Sequence, residues 1–396
     1  MNTAPGHRQA WIVFAAGVCA ALHVGKLPPA IGELQRALGM TLVEAGFLLS
    51  LVQAAGMGAG IAFGVVADAM GGRRSMLVGL ILLAIASGLG AGAPGVPLLL
   101  VLRAVEGFGF LMVVLPAPGL IRRLVAPGRL AVMMGVWGTY MPLGAALGLL
   151  AGPAWIAAFG WRSWWAGLAV LSAGMALLLW RRVDEVPASA ARIDGVLERL
   201  RRTLAASGPW LVAVTFALYS SQWLAVIGFL PVIYAAAGIG AGTTGVLTAL
   251  AAAVNMAGNL ASGRLLQRGV GAPQLLVIGF VVMALAATAA FAGGVDAGLP
   301  PALRYAAVLL FSAVGGLIPA TLFSLAMRVA PGEDTVSTTV GWMQQWSALG
   351  QFAGPPIVAW IAARAGGWHW TWVATGAASL IGLMLACRIA CRLRRP

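Results

Sequence analysis

Four ionisable side chains lie where such groups are expensive: His23 and Lys26 in one apolar stretch, Arg103 and Glu106 in another. Leu98 to Ile121 reads LLLVLRAVEGFGFLMVVLPAPGLI and holds a single arginine and a single glutamate three residues apart, one helical turn. At about 1.5 Å per residue that stretch crosses a hydrocarbon core of about 30 Å, so both groups fall below a lipid surface. A charge at the bilayer centre costs about 2.5–3.5 kcal/mol on insertion scales; it therefore faces a cavity or a partner, and it marks a route for substrate or protons. Lys26 is the only lysine in the chain. Two cations that meet favour an anion, and a carboxylate beside an imidazole can exchange protons. Blander readings stay open: an i,i+3 ion pair that neutralises itself for insertion, a Lys26 that snorkels outward, and a His23 that is packed and hydrogen-bonded.

The elements that hold these residues follow from composition. The chain has 396 residues, 61% apolar and 9% charged, against about 25% charged in a soluble domain. It reads as a polytopic membrane protein. Lipid admits only helices and closed barrels, and long unbroken apolar runs exclude alternating barrel strands, so the fold class is all-α. Segmenting by length, charge and breakers predicts twelve spans, near residues 10–31, 42–67, 75–93, 98–121, 130–153, 163–181, 209–236, 242–266, 273–292, 303–327, 336–361 and 370–388. The first run continues through His23, Lys26 and Pro28 with no small-residue cleavage site, and it is read as a retained helix rather than a signal peptide.

The net charge of +14 sits in short arginine clusters between spans and reads as a topology signal, not as a nucleic-acid footprint. Nineteen arginines fall at the termini and even-numbered connections against four in the odd-numbered ones. That asymmetry puts both termini in the cytoplasm of a bacterial inner membrane. Cys19, Cys387 and Cys391 have no CxxC spacing and suggest neither a metal site nor a disulfide. With helix 1 running outward and helix 4 inward, His23 lies about 20 Å and Lys26 about 24 Å from the cytoplasmic face, and Arg103 about 8 Å and Glu106 about 12 Å below the outer face. Lys26 and Arg103 are then expected at one outer level, His23 and Glu106 at a lower one.

The longest connection, Arg181 to Gly208, contains RIDGVLERLRRTL, an amphipathic helix expected to lie on lipid headgroups. It separates an N-terminal bundle, 1–181, from a C-terminal bundle, 209–396, with 182–208 as linker. The halves repeat: FGWRSWW at 159–165 answers GGWHWTW at 366–372, and Gly135, Gly144 and Gly148 answer Gly341, Gly350 and Gly354. LPAPGLIRRLVAPG at 115–128 likewise resembles IPATLFSLAMRVAPG at 318–332. A displacement held between 203 and 207 residues maps span 4 on span 10 and span 5 on span 11. Tyr219, Gln222 and Trp223 in span 7, Asn255 and Asn259 in span 8, and Gln344 and Gln345 in span 11 are the inward polar candidates of the second half. They can bind a substrate's polar end or act as interhelical glue at about 0.6 kcal/mol per bond. The first reading is preferred for Tyr219 and Gln222, the second for the asparagines.

Parallel six-helix repeats are a transporter architecture, and the motifs agree. GVVADAMGGRR at 64–74 resembles the major facilitator superfamily's cytoplasmic G-x-x-x-D-R-x-G-R-[RK] motif, matching at Gly64, Asp68, Gly71 and Arg73 and departing at Ala69 and Gly72. RAVEGFG at 103–109 resembles that family's R-x-x-Q-G-x-G motif with Glu106 in place of glutamine, and GAALGLLAGP at 144–153 resembles its antiporter glycine-proline motif without the closing glycine pair. GKLPPAI at 25–31, with the arginine-bearing span 4, is similar to the cyanate and nitroimidazole transporter branch.

The resemblance implies that helices 1, 4, 7 and 10 line a central cavity and that Gly64, Asp68, Gly71 and Arg73 latch one conformation. The expected protein is a monomeric secondary transporter of a small anion, working by alternating access. Lys26, Arg103, Tyr219, Gln222 and Gln344 would bind substrate, and Glu106 and His23 would couple protons. The rival is a proton-driven exporter of drugs or organic cations with Glu106 as counter-ion; a non-transporting membrane sensor is the alternative from another class. No metal triad, activated nucleophile or phosphate loop is present, so neither an enzyme, a cofactor nor ATP drive is expected.

Overall fold

The computed structural model describes residues 5–58, 70–126, 133, 136–185, 195–293 and 298–393. Its elements are helices. In chain order they are α1 (Pro5–Gly25), α2 (Ile31–Leu38), α3 (Leu42–Ser50), α4 (Gly72–Ala91), α5 (Val96–Val114), α6 (Ala117–Leu124), α7 (Tyr140–Arg182) and α8 (Val196–Ala205). Then follow α9 (Ser207–Ala236), α10 (Ala241–Ala253), α11 (Asn255–Gln267), α12 (Ala272–Phe291), α13 (Pro301–Gly315), α14 (Leu317–Val329), α15 (Val336–Ala365) and α16 (Thr371–Leu393).

Among the described residues, nine helical runs are long and apolar enough to cross a membrane. The twelve expected spans map onto them with identifiable differences. The fifth and sixth run together as α7, whose helical course is interrupted only at Gly160 (φ 78°, ψ 164°), a conformation open to glycine. The last part of the second span, residues 59–67, lies outside the described residues. The eleventh, α15, is 30 residues long but diluted by Thr338, Thr339, Gln344, Gln345 and Gln351.

Among the expected spans, 242–266 is divided at Val254 between α10 and α11, 42–67 passes into a 3-10 turn over Leu51–Gln53 after α3, and three others break beside a proline. Pro28 and Pro29 have no N–H to give, so α1 stops at Gly25 and a 3-10 turn over Pro28–Ala30 leads into α2. Pro116 separates α5 from α6, and Gly316 separates α13 from α14 near the matching Pro319. The repeat thus extends to the helix breaks.

Contacts divide the chain into two compact units. The first comprises Met1–Thr41, Leu51–Arg192 and Leu230–Ala249; the second comprises Leu42–Ser50, Ile193–Phe229 and Leu250–Pro396. In the first unit, α7 packs along α1 and α4, and α4 along α5. Glycines set the closest approach: a methyl group on Gly144 would stand 2.7 Å from the Val18 carbonyl oxygen, and one on Gly148 would stand 2.7 Å from the Gly25 carbonyl carbon. In the second unit, α12 packs on α16 and α13, α11 on α14, and α15 on α3. There a methyl on Gly350 would stand 2.8 Å from the Ala217 carbonyl carbon, and one on Gly354 would stand 2.7 Å from that of Ser221. Small residues that let backbones approach are the usual basis of helix association in lipid.

Candidate functional site

The break at Pro28 sets up the first unit's polar centre. A helix leaves its last carbonyls without intrahelical partners and carries a negative partial charge at that end. At the end of α1 both needs are met by cations. Lys26 lies just past the helix, and Arg103 Nη1 donates to the His23 carbonyl at 2.5 Å. The Lys26 carbonyl, whose helical partner is lost at the proline turn, accepts from the Trp164 indole at 3.1 Å.

The side chains converge on Glu106. Its Oε2 accepts from Arg103 Nη1 at 2.7 Å, and its Oε1 pairs with Lys26 Nζ. Lys26 Nζ also donates to Ser87 Oγ at 2.9 Å, lies 3.4 Å from His23 Nδ1, and sits 4.8 Å from the centre of the Trp165 ring. Ser87 passes its hydrogen to the Trp165 carbonyl at 2.9 Å. His23 Nδ1 is 3.6 Å from Glu106 Oε1, and Nε2 is 2.8 Å from Ser172 Oγ, which has Cys19 Sγ at 3.7 Å on its other side. Lys26 is 0% exposed, Arg103 3% and Glu106 2%. Two cations therefore share one carboxylate inside the first unit, among α1, α4, α5 and α7. Such charges are tolerable only when paired and hydrogen-bonded.

The second unit has a neutral network. Tyr219 Oη accepts from Asn255 Nδ2 at 2.9 Å, and the same amide donates to the Ser312 carbonyl at 2.9 Å. Trp223 Nε1 donates to Ser312 Oγ at 3.1 Å, and Asn259 Nδ2 to Asn255 Oδ1 at 2.9 Å. Gln222 donates to the Leu218 carbonyl at 2.9 Å and accepts from Ser379 Oγ at 2.8 Å. Gln344 and Gln345 are half-buried on α15.

The glycine contacts align the two networks. Gly25 meets Gly148 as Ser221 meets Gly354, and Ala21 meets Gly144 as Ala217 meets Gly350. Counting along the helices, His23 corresponds to Tyr219 and Lys26 to Gln222. The partner helices agree, since His23 bonds Ser172 and Gln222 bonds Ser379, two serines that the FGWRSWW and GGWHWTW repeats align.

All four charged residues singled out from the sequence thus come together, while Tyr219 and Gln222, on one face by spacing, take partners on different helices. The structure differs from expectation in two respects. Lys26 lies at a helix break rather than within a helix, and the four groups form one set rather than two levels, because the long Lys26 and Arg103 side chains reach back to Glu106. The i,i+3 pair of Arg103 and Glu106 does form, but as part of the larger set. Gly64 and Asp68 lie outside the described residues. Gly71 (φ 85°) begins α4, and Arg73 donates to the Trp180 carbonyl at 2.5 Å near the end of α7, with Glu185 at 3.7 Å. Sequence reasoning missed Ser87, Ser172, Trp164 and Trp165; serines and tryptophans in apolar helices carry no signal of their own.

The family model described as Major Facilitator Superfamily matches residues 13–355, and the chain belongs to that family. It is a multi-pass integral membrane protein. The puromycin resistance protein pur8 of Streptomyces alboniger is 32% identical over 224 residues, 55% of this chain and 43% of the relative. A multidrug resistance protein B homolog of Mycobacterium tuberculosis is 35% identical over 113 residues, 28% of this chain and 21% of the relative. The matches thus span less than half the length of these curated relatives. Among solved structures, a bacterial homolog of the human lysosomal transporter Spinster, inward-facing and occupied, superposes with TM-score 0.82 at 15% identity over 98% of each chain. A D-xylose–proton symporter gives 0.73 at 15% identity over 96% of this chain and 95% of its own. At these identities the likeness is one of fold.

Proposed function

We propose that this major facilitator superfamily member carries a small monoanion together with a proton, and that the set around Glu106 couples the two. One observation carries the reading: Lys26 and Arg103, both buried, share a single carboxylate. An anion arriving at the cations competes with Glu106, and a proton taken up by the Glu106–His23 pair balances the negative charge that the anion brings. The summed charge of the set then stays constant, which avoids a further buried charge during the cycle. Alternating access of two six-helix bundles, 1–181 and 209–396, about the 182–208 connection would expose the set to either side. Gly64, Asp68, Gly71 and Arg73 would latch one of the two states. Tyr219, Gln222 and Gln344 are the second half's candidates for the substrate's polar end. The arginine asymmetry supports termini on the cytoplasmic side; a bacterial inner membrane and a monomeric transporter complete the proposal.

Export of organic cations is the second reading, favoured by the names of the partial-length relatives. It requires a cationic substrate to compete with two built-in cations for Glu106, which is why the anion reading is preferred. Proteoliposomes containing the purified chain decide between them. Uptake of labelled nitrate or lactate, increased by a pH gradient that drives protons in the same direction, is expected. Ethidium transport without anion transport, or anion uptake indifferent to the gradient, would overturn the proposal.

A further inference from the structure

We infer that Ser172 is a positioning residue for proton coupling: it holds the His23 ring so that Nδ1 and the Lys26 ammonium address the same oxygen of Glu106, and a proton arriving at Nδ1 exchanges one for the other. This rests on the proton-coupled reading above. An ammonium has three N–H donors and no acceptor. Lys26 Nζ has three acceptors around it: Glu106 Oε1, Ser87 Oγ at 2.9 Å and His23 Nδ1 at 3.4 Å. Because the Ser87 hydrogen is committed to the Trp165 carbonyl at 2.9 Å, its lone pair faces Lys26. His23 Nδ1 then accepts as well, and the ring hydrogen belongs on Nε2, 2.8 Å from Ser172 Oγ. Lys26 thus sets the tautomer, and Ser172 Oγ supports it by accepting from the buried Nε2–H, which would otherwise lack a partner.

The consequence lies on the other side of the ring. Nδ1 is 3.6 Å from Glu106 Oε1, the oxygen that Lys26 holds. When a proton from solvent binds Nδ1, an N–H bond forms, the hydrogen bond from Lys26 to Nδ1 breaks, and imidazolium and ammonium repel. The ammonium keeps its three hydrogens, and the set gains one positive charge. The imidazolium takes Oε1, and Lys26 is freed to meet an anion; deprotonation reverses the exchange. The charged and titratable groups facing this ring are Lys26 from its own helix and Arg103 and Glu106 from α5, with Cys19 behind Ser172. From α4 and α7 the set is joined by neutral groups, Ser87, Ser172, Trp164 and Trp165.

The test uses the full chain in lipid nanodiscs with 15N-labelled histidine. Besides His23 the chain has His7 and His369, and loss of a resonance in His23→Gln assigns the signal. Near neutral pH the wild type should show a single neutral tautomer with hydrogen on Nε2. Ser172→Ala should give a mixture of both tautomers, and Ser172→Thr, which keeps the hydroxyl, a single one. In proteoliposomes, gradient-driven accumulation of labelled lactate should fall about tenfold in Ser172→Ala, a usual size for coupling between two sites. It should recover in Ser172→Thr. A wild-type ring carrying hydrogen on Nδ1, or a Ser172→Ala variant with one tautomer and full accumulation, would overturn the inference. Vesicles that move no anion at all would remove the transport reading, while the tautomer measurement still decides the role of Ser172.

Discussion

His23, Lys26 and Ser172 in the first unit occupy the same repeat positions as Tyr219, Gln222 and Ser379 in the second, yet only the first set carries charge. The backbone scaffold is shared, since glycines at matching places bring α7 against α1 and α15 against α9. What differs is the partner helix. Glu106 and Arg103 sit on α5, whereas Val308 and Phe311 on α13 are buried apolar residues and Ser312 is the polar group that answers the network. A lysine needs a carboxylate to be buried in lipid, and a glutamine needs only a hydroxyl and a carbonyl. The repeated backbone geometry is common to both units, and four side chains, His23, Lys26, Arg103 and Glu106, separate the charged set from the neutral one.

The contrast can be broken by substitution, most severely in the first unit. Glu106→Gln leaves two buried cations without a carboxylate and should cost about 3–5 kcal/mol, the price of orphaning a buried charge. Thermal unfolding of the purified protein measures it, and adding Lys26→Gln to that variant should restore part of the loss. A mild effect of Glu106→Gln would mean that the set is not held by its ion pairs. Next in size come the shared glycines: Gly148→Ala and Gly354→Ala should each destabilise by about 1–3 kcal/mol through overpacking. Closely similar losses would confirm the equivalence of the two helix pairs, and a clear inequality would break it.

Smaller still is the neutral network. Asn255→Ala removes interhelical bonds to Tyr219 and Ser312 and should cost about 0.6–1.7 kcal/mol, the range measured for such bonds in membranes, with gradient-driven uptake retained. Loss of transport without loss of stability would place Asn255, alongside its partner Tyr219, in the substrate path. The smallest effect is expected outside the repeat, on α8. There Arg201 beside Glu198 holds its carboxyl below the usual range at 2.9 Å. Both side chains are exposed, and Arg201→Gln should leave the melting temperature unchanged.

Much of the site was legible because charge in an apolar stretch stands out. His23, Lys26, Arg103 and Glu106 could be named from residue type alone, and straight-helix depth placed them near one another. That arithmetic separated two levels because it assumed an unbroken first helix and ignored side-chain reach; Pro28 ends α1 early, and Lys26 turns back to Glu106. Ser87, Ser172, Trp164 and Trp165 could not be named, since what distinguishes them is a partner 61 to 149 residues away.

By itself, the sequence determined the all-helical membrane class, the twofold repeat, the family and the four residues that lipid would not tolerate unpaired. These depend on hydropathy, length and motif, which are local along the chain. Only the tertiary structure decided that Glu106 is shared between Lys26 and Arg103, which ring nitrogen of His23 meets Ser172, and that Gln222 takes the place of Lys26 in the second unit. Hydrogen-bond partnership depends on distances of a few ångströms between separate helices. Those distances are set by how the glycines let the backbones approach, and spacing along a single helix does not encode them.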